Sequence, residues 1–154
     1  MLFGTAYKGI PIVVATSIAL KNQYNLDIPY SFNRKEEKKY GEKGYSVGTN
    51  IKNKKIIILD DVITSGISIN HAAKIIKKEK AEISSIFVLL DRKEKKEENL
   101  SVIINSQNKK KCTINSIITI DDFIYYLLEE KKLKKYAHKL IKYYKEYSSC
   151  FQKF

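Results

Sequence analysis

The run Ile56-Ile57-Ile58-Leu59, followed at once by Asp60-Asp61, constrains this chain more than any other segment. Four consecutive large apolar residues suit a strand buried on both faces of a parallel sheet. Lys52–Lys55 reads as the turn before that strand, and the acid pair reads as its end. A loop with Thr64, Ser65 and Gly66 then leads to a helix from about Ser68, where Ile69, Ala72, Ala73 and Ile76 recur at helical spacing.

The rest of the chain repeats this alternation. Met1–Phe3 reads as a strand end, Gly4–Gly9 as a turn, and Pro11 sits in the first turn of an apolar helix running to about Tyr24. Ile28–Phe32 is a short strand. Asn33–Gly44 carries eight charges in twelve residues and reads as a mobile loop. Ile83–Leu90 and Thr113–Ile118 are further strands, with a weak helix expected near Leu100–Asn105. Thr119 or Asp121 caps a helix to about Glu130, and Leu133, Tyr136, Ala137, Leu140, Ile141 and Tyr144 mark a last amphipathic helix. Strands alternating with helices predict an α/β fold, a doubly wound and mainly parallel sheet. One domain over residues 1–154 is expected, with 131–154 as a C-terminal helix and tail.

Composition narrows the class. With 154 residues and 44% hydrophobic residues, the chain can bury a core without disulfides. The two cysteines, Cys112 and Cys150, have no metal-ligand spacing and read as reduced thiols of a cytoplasmic protein. No stretch approaches a membrane span, and the apolar Ile10–Leu20 lacks a signal-peptide cleavage site, so neither membrane insertion nor export is expected. The net charge of +12 invites a polyanion partner. Yet only two of the 29 basic residues are arginine, Arg34 and Arg92, and scattered lysines read as a solvated surface with no specific nucleic-acid face. Those two arginines either hold an anion through a bidentate fork or are the remainder of a lysine-rich composition. His71 and His138 read as surface histidines on the polar sides of their helices.

Ligands of an open parallel sheet sit beyond the carboxyl ends of its strands. There Asp60 and Asp61 can accept hydrogen bonds from sugar hydroxyls and attract hydrated Mg²⁺. The loop Val62, Ile63, Thr64, Ser65, Gly66, Ile67, Ser68 enters a helix whose N-terminal N–H groups suit a phosphate monoester. It is not a Walker A loop, because no Gly-Lys-Thr/Ser triplet ends it.

This acidic-acidic-apolar-apolar-Thr-x-Gly segment resembles the phosphoribosyl pyrophosphate (PRPP) motif of type I phosphoribosyltransferases. Phe3-Gly4-Thr5-Ala6-Tyr7-Lys8-Gly9-Ile10-Pro11 resembles the pyrophosphate loop of the orotate phosphoribosyltransferase family. Phe32-Asn33-Arg34-Lys35-Glu36 through Gly44 resembles that family's mobile catalytic loop, and Leu90-Asp91-Arg92-Lys93-Glu94 its orotate-contacting segment. The similarity runs on through Ile117–Leu128, in family order.

The resemblance implies orotate and PRPP as substrates, orotidine 5′-monophosphate and pyrophosphate as products, and Mg²⁺ as cofactor. It puts Tyr7 and Lys8 on PRPP, with Lys8 on the pyrophosphate. Asp60 and Asp61 would hold the ribose hydroxyls and help place Mg²⁺, with no direct protein metal site. Thr64–Ser68 would wrap the 5-phosphate, Thr64 and Arg92 would meet orotate, and Arg34, Lys35 and Lys38 would close over pyrophosphate, partly across a homodimer interface. Tyr40 stands where the family usually has histidine, Lys43 where it has glycine and Ile67 where it has threonine. Against the family pattern the chain starts in mid-fold, so the hood is expected to be incomplete and the last helix to lack a packing partner. A phosphoribosyltransferase-fold PRPP binder or regulator without catalysis, and a basic nucleic-acid-binding protein, are the competing classes.

Overall fold

The computed structural model describes residues 1–38, 44–95 and 112–148, without the side chains of 37 and 38. Strands and helices alternate: β1 (Leu2–Gly4), α1 (Gly9–Tyr24), β2 (Tyr30–Lys38), β3 (Gly44–Gly48), β4 (Lys55–Ile63), α2 (Ile67–Lys78), β5 (Glu82–Asp91), β6 (Thr113–Thr119), α3 (Ile120–Glu129) and α4 (Lys134–Tyr147). They form one six-stranded sheet in the order β3-β2-β1-β4-β5-β6. Every pairing is parallel except β2 with β3. This is the expected doubly wound, mainly parallel α/β sheet.

Period-two alternation assigns the two faces. Phe3, Ile56 and Ile58 pack with Ile69, Ala72, Ala73 and Ile76 of α2. Leu2, Ile57 and Leu59 pack with Ile12, Val13 and Leu20 of α1 on the other face. From β1 the chain winds toward β2, and from β4 toward β5. The strand order therefore reverses between β1 and β4, which opens a crevice at their carboxyl ends.

Three elements depart from the sequence reading. β4 runs three residues past the acid pair's first member, because β5 continues beside it and pairs Asp60 with Val88, Val62 with Leu90 and Ile63 with Asp91. The charged segment expected as loop from Asn33 is strand as far as Lys38, held by β3: Ser31 pairs with Gly48, Phe32 with Val47 and Asn33 with Ser46. Third, α4 does have a partner. Ile120 and Ile124 of α3 bury Tyr144 of α4, with Leu128, Leu140 and Ile141 around them. Tyr136 and Tyr143 of the same helix stay exposed.

On the face that carries α1, Phe87, Leu89 and Ile117 are exposed. They border an apolar hollow of about 360 Å³ that α1 walls on one side. The weak helix expected near Leu100–Asn105 lies outside the described residues, as does Cys150; Cys112 is a buried free thiol. Among the described residues no helix is long and apolar enough to cross a membrane.

Candidate active site

The loop after β1 packs against β4 because two glycines let the backbones touch. A Cβ on Gly4 would lie 2.5 Å from Gly9 O, and one on Gly9 would lie 2.6 Å from Leu59 O. No side chain fits in either place. The Thr5 N–H donates to Leu59 O across the same gap. That contact brings Tyr7 and Lys8, both exposed, alongside the acid pair. The Ala6–Tyr7 peptide is cis.

Lys8 Nζ lies 3.0 Å from Asp61 Oδ2, with the lysine side chain 80% exposed. An ion pair that wet contributes at most about 1 kcal/mol to stability. Its partners are therefore available to exchange for a ligand at small cost. Burial acts to raise the Asp61 pKa, but the Lys8 hydrogen bond, the Val62 N–H and the Lys8 charge together outweigh it and hold the carboxyl below its usual range. Asp60 behaves oppositely. It is buried, and burial pushes its carboxyl above the usual range against the pull of the Thr5 hydroxyl and the Asp61 N–H. That N–H donates to Asp60 Oδ1 at 2.9 Å.

Next to Asp60 a hollow of about 290 Å³ is lined by Val62, Ile63, Thr64, Gly66, Ile67 and Ser68, with Ser65 in the same loop. Gly66 supplies the left-handed turn into α2 at φ 90°. α2 begins with no side-chain cap and no acidic residue in its first turn. The first intrahelical bond is Asn70 N–H to Gly66 O, so the preceding N–H groups have no intrahelical acceptor. A hollow with a carboxylate on one wall and a bare helix start on the other suits a ligand carrying hydroxyls at one end and phosphate at the other.

Other predicted residues fall around this centre. Lys35 on β2 places its Nζ 4.7 Å from the centroid of the Tyr7 ring, so β2 and the loop after β1 meet within one chain. Arg34 is half-buried beside it. Tyr40 and the Lys38 side chain lie outside the described residues, as does Lys43. Ile67, where a threonine was expected from the family pattern, is 63% exposed at the rim.

Arg92 is also at the sheet's carboxyl edge, its N–H donating to Ile63 O. Its guanidinium turns to α4, donating to Tyr143 Oη at 3.0 Å and pairing with Glu94 at 2.5 Å. Sequence reasoning missed Asn33 and His71. Asn33 is buried and accepts the Ala6 N–H, and its amide meets a half-buried His71, which corrects the surface reading of that histidine. The only cue was an amide-bearing residue opening an otherwise charged run. His138 is exposed, as expected.

Comparisons with known proteins agree with this arrangement. The family model of the phosphoribosyl transferase domain matches residues 1–123. The orotate phosphoribosyltransferase of Buchnera aphidicola subsp. Acyrthosiphon pisum (strain Tuc7) is 64% identical over 147 residues, covering 96% of this chain and 69% of that protein. The orotate phosphoribosyltransferase of Proteus mirabilis (strain HI4320) is 43% identical over 146 residues, covering 95% and 67%. The crystal structure of orotate phosphoribosyltransferase from Francisella tularensis superposes with a TM-score of 0.72 at 31% identity, covering 96% of this chain and 70% of that one. A sheet that reverses between β1 and β4, an acid pair at that crevice and relatives this similar over nearly the whole chain lead to one assignment: the chain belongs to the orotate phosphoribosyltransferase family.

Proposed function

We propose that this chain transfers the phosphoribosyl group of PRPP to orotate, giving orotidine 5′-monophosphate and pyrophosphate in pyrimidine biosynthesis. The observation that carries the reading is the crevice itself, where Lys8, Asp61 and Asp60 stand beside the open start of α2. The 5-phosphate takes the N–H groups of the Thr64–Ser68 turn, and the ribose hydroxyls donate to Asp60 and Asp61. Lys8 leaves Asp61 for the pyrophosphate as those hydroxyls arrive.

Breaking the C1–O bond of PRPP puts positive charge on the ribose and negative charge on the departing pyrophosphate. Cations aimed at the leaving group therefore stabilise the transition state more than the ground state. Lys8, Lys35 and Arg34 supply that charge from two segments that already touch through Tyr7. Arg92 exchanges Tyr143 and Glu94 for the planar, anionic orotate, which its fork fits.

Mg²⁺ belongs to the same proposal. Among the described residues no group of three or more His, Cys, Asp or Glu gathers into a metal cage. Two carboxylates beside a diphosphate subsite fit the ion that usually arrives on substrate phosphates. Asp60 and Asp61 would help place the ion on the substrate's diphosphate without forming a protein cage, and when bound it would neutralise pyrophosphate charge. A homodimer in a reducing cytoplasm completes the reading, supported by the family resemblance and by the free thiol of Cys112.

The test is loss of orotate absorbance on adding PRPP and Mg²⁺. Turnover is expected, and Lys8→Ala should lower kcat/KM for PRPP on the order of 10- to 100-fold, the worth of a hydrogen bond to a charged group. PRPP binding with no turnover would replace this reading with that of a non-catalytic binder. Salt-sensitive RNA binding with no PRPP binding would replace it with a nucleic-acid protein.

A further inference from the structure

Asn33 joins three segments distant in sequence. Its Oδ1 accepts the Ala6 N–H at 2.9 Å, and its Nδ2 stands 3.3 Å from Arg34 O and 3.3 Å from His71 Nδ1. The first two partners fix which way the carboxamide points. A backbone N–H can only donate and a carbonyl can only accept, so the oxygen must face Ala6 and the NH₂ must face Arg34 O. The same NH₂ then meets His71 and can only donate there. His71 Nδ1 must be a bare acceptor, which makes the ring neutral with its proton on Nε2.

We propose that His71 and Asn33 are positioning residues for phosphoribosyl transfer. The neutral ring locks the carboxamide, the carboxamide holds the Ala6 N–H, and the Ala6–Lys8 segment is thereby held where Tyr7 and Lys8 face the diphosphate. This rests on the reading of the crevice as the PRPP site. The loop needs such an anchor because Tyr7 and Lys8 are exposed and leave the backbone to hold the segment. Asn33, buried at 3% exposure, can do that without competition from water. A protonated His71, or one protonated on Nδ1, would set donor against donor and turn the carboxamide away from Ala6.

The other described histidine provides an internal control. His138 Nδ1 lies 2.7 Å from Lys134 O, an acceptor, so that ring must carry its proton on Nδ1. The intact chain, labelled with ¹⁵N-histidine and kept alkaline enough for neutral imidazoles, should show two opposite tautomers in long-range ¹H–¹⁵N correlation spectra. The His138→Gln variant assigns the signals. Asn33→Asp, which replaces the donor by an acceptor, should move the His71 proton to Nδ1.

In kinetics, His71→Leu should raise the KM for PRPP about tenfold, as expected for one lost buried hydrogen bond, and leave the KM for orotate unchanged. His71→Gln, whose Oε1 can accept, should recover to within about twofold of wild type on the same scale. A protonated Nδ1 on His71 in the wild-type chain overturns the proposal. So does His71→Leu with a wild-type KM for PRPP, or Leu and Gln variants equally impaired. A wild-type chain that neither binds nor consumes PRPP overturns the functional reading and the positioning role together. Tautomers as expected with a normal His71→Leu overturn the positioning role alone.

Discussion

Two helices begin at the carboxyl edge of this sheet in opposite ways. α3 closes its own N-terminus: Thr119 Oγ1 accepts the Asp122 N–H, and Asp122 accepts the Thr119 N–H at 2.7 Å, with Asp121 and Asp122 adding negative charge to the first turn. α2 has Gly66 in the capping position, no side-chain cap and no acid in the first turn. A capping box at α2 would occupy the N–H groups that a phosphate needs. What α3 uses for local stability, α2 leaves open to a ligand. An open start is not sufficient by itself, since α4 also begins without a side-chain cap. What sets α2 apart is the hollow in front of it, which Asp60 helps to line.

The largest effect should come from making α2 resemble α3. Ser68→Asp puts a carboxylate in the first turn, where it favours the helix but meets the phosphate. Like charges about 4 Å apart repel by roughly 1–4 kcal/mol between bulk water and an effective dielectric of 20. PRPP affinity, measured by calorimetry, should therefore fall roughly 5- to 1,000-fold, while the thermal midpoint holds or rises. A fall in both would show that α2's start serves stability after all.

The next effect falls on the other helix that starts at the crevice. Gly9→Ala drives a Cβ to 2.6 Å from Leu59 O and 2.7 Å from Thr5 Oγ1. Overpacking of this kind costs about 1–3 kcal/mol, a drop of roughly 2–4 °C in Tm per kcal/mol for a chain of this size. Calorimetric unfolding checks it, and an unchanged Tm would mean that Gly9 does not pack against β4.

Opening α3 should be milder and should leave ligand binding alone. Thr119→Ala removes the cap, worth about 1 kcal/mol, with PRPP affinity unaltered. Asp122 is held below its usual carboxyl range first by the Thr119 hydroxyl and then by the Thr119 N–H. A depressed folded pKa stabilises above the unfolded value, so this contribution is lost as pH falls through Asp122's own lower pKa. Acid titration of stability should show a step in the wild type that is reduced in Thr119→Ala.

The smallest effect has the reverse sign. Burial raises the Asp60 pKa, so its ionised form opposes folding, and stability falls as pH rises through that raised value. Asp60→Asn should be modestly more stable than wild type at neutral pH and no better at acid pH, while losing PRPP turnover. Equal stability at both pH values would show that the acid pair carries no folding cost.

Much of this was legible locally. The Ile56–Leu59 run, the alternation of strands and helices, the acid pair, the Thr64–Ser68 turn and the Thr119 cap each depend on neighbours a few residues away. What the local pattern misjudged was decided by partners far along the chain. β4 outlasts Asp60 because β5 runs beside it. β2 extends into the charged segment because β3 pairs with it. α4 packs because α3 turns Ile120 and Ile124 toward Tyr144. Asn33 and His71 carried at most a weak local signal, since an amide in a charged run and an imidazole on a polar helix side look like surface until β2 and α2 are placed together.

By itself, then, the order of residues determined which segments become strand or helix and which carboxylates and glycines are on hand for phosphate and sugar. The choice of side chain and its periodicity act within a few residues, so they can be read without coordinates. Only the tertiary structure decided that the loop after β1 and the loop after β4 share one crevice, that Lys8 reaches Asp61, and that His71 steadies Asn33. Those contacts depend on strand order, which is set by hydrogen bonds and packing between segments tens of residues apart.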